Sequence, residues 1–334
     1  MFPESAYTFI NHKTIPGAMK LSQAYELAIK TGIKHDPRSK EEIDRVLKEA
    51  KDAREEAKKA KRHFDEERLW NPYADSRFSW GDGDAEVSRI LWGIDIGTGE
   101  MVLADRLREK GERIDAVVGH HPLGLAKTPF PEVMWMQTDM YHDAGMPINV
   151  AEGIMAPRMK EVLRNVMGSN YNQSVDAGRL LGMPIMNIHT PADNCVQSFL
   201  EKKFSKEEPK RLKEIIDRLM EEPEFRIAAE QNSPPKIICG DPNGRCGKVI
   251  FKMTGGTSGP KEVYEKMSQA GVGTIVGMHF PDNHIDEAKK HNVNLVISGH
   301  MASDSLGINI IADVWEKKGI ETVPFSGLIR VSRN

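Results

Sequence analysis

The sequence is poor in cysteine, shows no excess of basic charge and contains no long hydrophobic run. Its 334 residues include three cysteines, Cys195, Cys239 and Cys246. They are too few and too widely spaced for a disulfide framework or a cysteine-based zinc site. The scarcity of cysteine predicts a reducing, cytoplasmic setting.

Charge and hydropathy argue against two further classes of protein. The formal net charge is −3, whereas a protein that mainly binds nucleic acid usually carries a basic stripe. No run approaches the roughly 18 apolar residues that a membrane span requires. Residues 1–7 lack a basic region followed by an apolar core, so no signal peptide is predicted. We therefore expect neither nucleic acid nor a membrane as a partner.

Residues 1–80 are rich in charge and predict a helical N-terminal extension. Within it, Ser39 and Glu42 form a capping box. Small and apolar residues then recur at spacings of three and four over roughly 30 residues, as on an amphipathic helix. The narrow, alanine-rich stripe fits a partner helix or a neighbouring subunit, and it equally fits a helix that lies on its own domain.

Two stretches follow in which apolar strands alternate with glycine turns and helices, so a parallel α/β architecture is expected. The first half spans residues 85–232 and contains inserted helices, and the second half spans residues 233–334. In the first half, the strand Ile90–Ile96 leads through a helix to the strand Ile114–Val118. Met146–Val150 is predicted as a further short strand.

The two halves match each other in sequence. Gly97 and Gly119 are 22 residues apart, and Gly255 and Gly277 have the same separation. Each pair encloses a glycine turn, a helix and an apolar strand that ends in Val-Gly. Such self-similarity indicates two related α/β halves.

Potential ligands follow four predicted strands, at the point where each strand ends. They are His120 and His121, His189 with Asp193, His279, and His300 with Asp304. In the repeat, His279 corresponds to His121. Because ligands of open parallel sheets gather at the carboxyl ends of strands, these side chains can meet in one crevice. Imidazole together with carboxylate suits zinc, iron, manganese or nickel and does not select among them.

Each of these elements has an ordinary structural explanation when it is taken alone. A single histidine at a strand end is usually a hydrogen-bonded surface or cleft residue, and His-x-x-x-Asp is a weak signal. Thr254–Gly259 could cradle a phosphate, but it lacks the Lys-Ser/Thr ending of a P-loop, so we interpret it as a turn. The combination at four strand ends favours a metal site.

Three of the motifs resemble those of the NIF-three-like family, whose members are often labelled GTP cyclohydrolase 1 type 2 homologues. The motifs are Gly119-His-His-Pro122, His189-Thr-Pro-Ala-Asp193 and Gly299-His-Met-Ala-Ser-Asp304. Their order agrees with the family, and the similarity covers roughly residues 85–330. The resemblance implies two related α/β halves with mixed or parallel sheets and a dinuclear metal site in the cleft between them.

The resemblance also implies which residues bind the metals. Two divalent ions would be held by five side chains: His120, His121, Asp193, His300 and Asp304. We assign His189 and Asp95 to orienting these ligands or moving protons. Asp304 departs from the longer glutamate that is usual in the family and often bridges the metals. The shorter carboxylate either bridges after a small backbone shift or leaves one site weak.

The predicted function is that of a metal-dependent hydrolase acting on a nucleotide-like or phosphorylated small molecule, because two metals stabilise charged oxygens. The cyclohydrolase label rests on the resemblance alone. The alternative is a non-catalytic, metal-binding adaptor that recruits a protein partner through residues 1–80. The resemblance further implies a homo-oligomer, commonly a hexameric ring.

Overall fold

The computed structural model describes residues 19–334. Their helices are α1 (Leu21–Lys34), α2 (Lys40–Lys59), α3 (Thr98–Glu109), α4 (Met136–Asp143), α5 (Ile148–Met167), α6 (Gln173–Leu181), α7 (Thr190–Ser205), α8 (Leu212–Leu219), α9 (Pro223–Glu230), α10 (Val263–Gln269), α11 (Asp282–Lys290) and α12 (His300–Glu316). Their strands are β1 (Met19–Lys20), β2 (Arg77–Trp80), β3 (Glu86–Val87), β4 (Arg89–Gly93), β5 (Ala116–Gly119), β6 (Ile185–Asn187), β7 (Lys236–Cys239), β8 (Lys248–Lys252), β9 (Val272–Gly277), β10 (Asn294–Ile297) and β11 (Glu321–Pro324). No helix among these residues is long and apolar enough to cross a membrane. Residues 1–7, on which the signal-peptide prediction rests, lie outside the described part.

Two mixed sheets form the scaffold, as the α/β prediction requires. The five-stranded sheet has the order β11-β4-β5-β6-β2, and the four-stranded sheet has the order β7-β10-β9-β8. In the first sheet β11, β4, β5 and β6 run parallel and β2 is antiparallel. In the second sheet β8, β9 and β10 run parallel and β7 is antiparallel. A short antiparallel pair, β1 with β3, stands apart from both sheets.

The internal repeat corresponds to one parallel pair in each sheet. β4, α3 and β5 form the unit of the first half, and β8, α10 and β9 form that of the second. β5 ends at Gly119 and β9 ends at Gly277, so the two Val-Gly ends of the repeat are both strand ends. These strands are almost fully buried, as is usual for parallel strands covered on both faces.

The N-terminal segment is part of the core, contrary to the extension predicted for residues 1–80. α1 contributes Leu21, Ala24 and Ile29 to the same apolar cluster that holds Trp315. The Trp315 Nε1–H group donates a hydrogen bond of 3.0 Å to the carbonyl oxygen of Ala24. β2 pairs with β6 inside the five-stranded sheet. The described residues up to position 80 therefore contribute a core helix and a strand to the first half.

Helix α2 begins where the capping box predicts. The Ser39 hydroxyl oxygen accepts a hydrogen bond of 3.2 Å from the backbone N–H of Glu42. The helix ends at Lys59 after 20 residues, short of the roughly 30 predicted. Its buried residues are Ile43, Ala50 and Ala57, so the narrow stripe packs against this chain. Val46 and Leu47 are half-buried, and most of the charged residues are exposed.

The strand predicted at Met146–Val150 is wrong. Pro147 lies at the N-cap of α5, which begins at Ile148. Proline favours a helix start because its fixed φ suits the first turn and the N–H that it lacks would have no partner there. The apolar run was too short for its periodicity to separate a strand from the beginning of a helix.

Helices α7 and α12 cross at very short range. Gly307 of α12 lies against the backbone of Ala192 in α7, where a Cβ atom on Gly307 would overlap the Ala192 carbonyl group. Ala192 precedes Asp193, and Gly307 lies three residues after Asp304. The crossing therefore fixes how far apart these two acidic residues lie.

We expect Gly307→Ala to lower the free energy of unfolding by about 1–3 kcal/mol, because the added methyl group must push the two helices apart. Gly153→Ala is the control, since Gly153 lies within α5 and its Cβ would meet no atom within 4 Å. That exchange should raise stability by up to about 1 kcal/mol through helix propensity. Urea unfolding of both variants measures the difference, and equal midpoints would contradict close contact at the crossing.

Candidate metal centre

Three of the four predicted strand ends, those of β5, β6 and β10, bring their possible ligands together. His120 and His121 follow β5. β6 leads into α7, whose first turn carries Asp193. From the other sheet, β10 leads into α12, whose first residue is His300. The structure brings together six of the predicted site residues, whose ligand atoms form groups within 4.8 Å of one another: His120, His121, His189, Asp193, His300 and Asp304.

Each acidic residue lies one helical turn after a histidine. His189 is the N-cap of α7 and Asp193 lies in its first turn, while His300 begins α12 and Asp304 follows one turn later. A spacing of four residues places both side chains on the same face of a helix. Gly299 has φ of 103°, a conformation that favours glycine, and it turns the chain sharply from β10 into α12.

Three histidines have their Nδ1 atoms bound to oxygen acceptors. His120 Nδ1 lies 3.1 Å from the carbonyl oxygen of Ile188. His121 Nδ1 lies 2.6 Å from Asp95 Oδ1, and His189 Nδ1 lies 2.6 Å from Asp75 Oδ2. A carbonyl or a carboxylate oxygen accepts, so Nδ1 carries the hydrogen in each ring. The Nε2 lone pairs are then free to bind a metal, the arrangement found at most metal-binding histidines.

Four buried polar atoms at the centre have no hydrogen-bond partner among the described residues: His120 Nε2, Asp193 Oδ1 and both carboxylate oxygens of Asp304. A buried polar atom without a partner costs about 1–3 kcal/mol, more if it is charged. Three of them lie around one point, since His120 Nε2 lies 3.4 Å from Asp193 Oδ1 and 3.5 Å from Asp304 Oδ1. Ligands about 2.1 Å from a tetrahedral metal lie roughly 3.4 Å apart, so the atoms fit a divalent cation.

The two oxygens of Asp304 face different partners. Oδ1 faces His120, whereas Oδ2 lies 3.3 Å from His300 Nε2 and 3.6 Å from His121 Nε2. The Nε2 atoms of His121 and His300 are themselves 3.3 Å apart. Two groups of possible ligands thus share Asp304: one contains His120 and Asp193, and the other contains His121 and His300.

The carboxylates dominate the electrostatics of the buried side. Burial lowers the pKa of His120, but the Asp304 and Asp193 carboxylates outweigh burial and raise the pKa to well above its usual value. Burial also lowers the pKa of His189, and Asp193 and Asp75 raise it overall. Burial raises the pKa of Asp304, but His120, His300 and His121 lower it to a net value below normal. Ionised carboxylates in a buried site attract positive charge, which suits a metal cation.

The centre is closed on one side and open on the other. The side chain of His120 is 0% exposed and that of Asp193 is 4% exposed. By contrast, the side chain of His121 is 27% exposed and that of His300 is 40% exposed. A small molecule can therefore reach the centre from the side of His121 and His300.

Two other predicted residues adjoin the centre. Asp95 is 74% exposed and contacts His121, which lowers the pKa of Asp95 through their hydrogen bond. His279 lies beside His300, with ring centroids 5.0 Å apart, but it belongs to none of the possible ligand groups.

Asp75 supports the centre, and no sequence motif predicts it. This residue is fully buried just before β2, and its Oδ2 accepts hydrogen bonds of 2.6 Å from His189 and from the Thr190 hydroxyl. Asp75 lies in no recognisable motif, and 114 residues separate it from His189. Nothing in the local sequence pattern signals that contact.

Comparisons with known proteins support the fold. No family model matches the chain, and no curated protein matches it. Among solved structures, a NIF3 superfamily protein from Sphaerobacter thermophilus has a TM-score of 0.72 at 24% identity, with 93% of this chain and 100% of that chain covered. Reduced HcgD from Methanocaldococcus jannaschii has a TM-score of 0.45 at 12% identity and covers 74% of this chain and 87% of its own. A Bacillus cereus protein related to NIF3 has a TM-score of 0.44 at 8% identity, with 95% and 99% covered.

The Sphaerobacter structure confirms the resemblance at the level of the fold. The similarity spans nearly the whole of this chain, including much of the segment that was predicted as an extension. At this identity the similarity establishes a shared architecture and does not identify what the centre binds.

We expect Asp75→Asn to lower the pKa of His189 in metal-free protein, because the Asp75 charge helps to raise it. The exchange should also cost about 1–3 kcal/mol of stability, since an amide replaces a charged acceptor of two buried hydrogen bonds. Histidine NMR titration and urea unfolding measure the two effects. Asp52→Asn on the exposed face of α2 removes the same charge and should change neither quantity. An unchanged His189 pKa in Asp75→Asn would show that the carboxylate does not act on the ring.

Proposed function

We propose that the protein is a dinuclear metal-dependent hydrolase that acts on a nucleotide-like or phosphorylated small molecule. The observation that carries the proposal is a set of four buried ligand atoms that make no hydrogen bond among the described residues: His120 Nε2 and three carboxylate oxygens of Asp193 and Asp304. Zinc, iron, manganese and nickel all suit such imidazole and carboxylate ligands. GTP as substrate follows from the family resemblance alone.

In this proposal His120, Asp193 and Asp304 would hold one ion, and His121, His300 and Asp304 would hold the other. The bridging role is supported by the opposite directions in which the two Asp304 oxygens face. The Asp304 side chain contacts His120 on one side and His121 and His300 on the other. An aspartate in place of the family's usual glutamate therefore does not by itself argue against a second ion. When bound, the ions would activate a water molecule and polarise the bond that it attacks.

The protein residues around the ions orient ligands and handle protons. Asp95 fixes the ring of His121 through Nδ1, and the Ile188 carbonyl does the same for His120. Asp75 holds a hydrogen on Nδ1 of His189, which leaves its Nε2 to accept or donate a proton 3.7 Å from Asp193 Oδ2. The exposed edge at His121 and His300 is where substrate would enter.

Metal analysis of purified variants tests the ligand assignment. We expect two ions per chain in the unaltered protein, one in Asp193→Asn and none in Asp304→Asn, because only Asp304 is shared. The loss of a direct ligand should weaken affinity by more than the 10–100-fold typical of outer residues. Asp286→Asn, on the exposed face of α11, is the matched control and should keep both ions. Full metal content in Asp304→Asn would contradict the bridging role.

Hydrolysis assays on a panel of nucleotides and phosphoesters test the activity. Metal-loaded protein should turn over at least one member of the panel, and His121→Ala should lower kcat/KM by at least about 100-fold, as expected when a metal is lost. Asp286→Ala serves as the control.

The alternative, a metal-holding adaptor, is supported by the outward-facing charged residues of α2, which buries three side chains only. If no substrate is turned over and His121→Ala changes only the binding of a protein partner, the adaptor replaces the hydrolase. The cytoplasmic setting and the homo-oligomeric ring stay predictions.

A further inference from the structure

Lys252 is a largely enclosed lysine without a partner. It ends β8, and among residues 19–334 its ammonium group makes no hydrogen bond and no ion pair. The group lies over the Tyr141 ring, 5.7 Å from the centroid, and close to Gly259. Lysines are rarely withdrawn from water unless they are paired. Burial, together with the Arg158 guanidinium, lowers the pKa of Lys252 to about 7. A cation held in this way is available for an anion from outside the chain.

A small cavity adjoins Lys252 and contains only cationic and neutral groups. Its volume is about 50 Å³, and its polar lining consists of Lys252, Thr254, Thr257, Ser258, His279 and His284, with Tyr264 at its wall. Among residues 19–334, no aspartate or glutamate lines this cavity, whereas a second cavity that also borders Lys252 contains Asp143 and Glu201. Because one water needs about 10–15 Å³ of such space, the cavity holds roughly four water-sized atoms, close to the size of a phosphate or sulfate group.

The Thr254–Gly259 turn supplies unused donors to this cavity. The hydroxyl groups of Thr257 and Ser258 make no hydrogen bond within the described chain, and the backbone N–H groups of residues 256–258, which line the cavity, donate none there. The turn lacks the lysine found at the end of a P-loop. Lys252, at the end of the preceding strand β8, provides a cation instead. Arg158 of α5 fixes the turn, since its Nε donates a hydrogen bond of 3.0 Å to the Ser258 carbonyl oxygen, and its own charge is paired with Glu161 at 2.8 Å.

The cavity lies next to the open side of the metal centre. His279 lines the cavity and also packs against His300, with the ring centroids 5.0 Å apart. His300 is one of the more exposed possible ligands. A molecule that contacts the centre from this side thus reaches the cavity across a single imidazole ring.

We propose that Lys252 and the Thr254–Gly259 turn form a binding site for a tetrahedral oxyanion, the phosphate group of the small molecule whose other end lies at the metal centre. The position of that other end rests on the proposed hydrolase function, whereas oxyanion binding does not. The site defines the substrate class: a compound whose reactive bond is separated from an anionic group by about the width of a histidine side chain.

Calorimetric titration of the metal-loaded, full-length protein with sulfate tests the site at pH 6, where the Lys252 amine is mostly protonated. We expect Lys252→Met to weaken sulfate binding at least about tenfold, the loss typical of a charged hydrogen bond. Methionine matches the stem of lysine and removes an unpaired charge, so the fold should be retained. Thr257→Val, which deletes one neutral donor, should weaken binding by about two- to tenfold. Lys318→Met, at an exposed position beyond the far end of α12, is the charge-matched control.

Two comparisons separate this site from the metal centre. Asp304→Asn should lose its metal and still bind sulfate, whereas loss of sulfate binding in that variant would place the anion on the metal and overturn the proposal. Equal sulfate binding by Lys252→Met and the unaltered protein would also overturn it. If sulfate binding depends on Lys252 but no phosphoester is hydrolysed, the oxyanion site stands and the hydrolase function fails. If hydrolysis occurs, Lys252→Met should raise KM for a phosphorylated substrate at least about tenfold more than for its uncharged analogue.

Discussion

Two buried carboxylates, Asp193 and Asp304, are held together by a helix crossing that leaves no room for a side chain. α7 comes from one sheet and α12 from the other, and they meet where Gly307 lies against Ala192. Like charges in a buried site repel, and their desolvation is costly unless a positive charge offsets both effects. His120, fully buried between them, supplies part of that charge when it is protonated. A metal cation would supply it more completely, since it would also partner the oxygens that no hydrogen bond reaches.

The closed side of the centre is suited to holding a metal ion, and the open side is suited to receiving a small molecule. On the closed side, His120 and the two aspartates are buried, so they are suited to holding an ion firmly. On the open side, His121, His300 and His279 form a partly exposed row of imidazoles that leads toward Lys252. The charge character changes along this row, from acidic at the centre to basic at the cavity. A molecule with an anionic group would be oriented by that change before any bond is altered.

The sequence predicted most of the centre and less of what supports it. Residues such as His121 and Asp193 could be predicted because each follows a strand end or starts a helix, where local patterns are informative. Asp75 could not, because its contact with His189 depends on how β2 pairs with β6. The place of α1 in the core was missed for a similar reason, since a short amphipathic helix looks the same whether it covers its own sheet or another surface. Lys252 was overlooked because the expected phosphate motif places the lysine after the turn and not before it.

The last strand, β11, has a consequence for how the chain is made. It pairs with β4 in the first sheet, so that Thr322 lies beside Ile90. The whole four-stranded sheet comes between these two residues in the sequence. Ribosomes add about 5–20 residues per second, so β4 waits on the order of ten seconds or more for its neighbour. During that interval the exposed edge of β4 can pair with other chains, and the second half can fold first. The addition of β11 thus completes the first sheet, and a nascent chain stalled before β11 would be prone to aggregate.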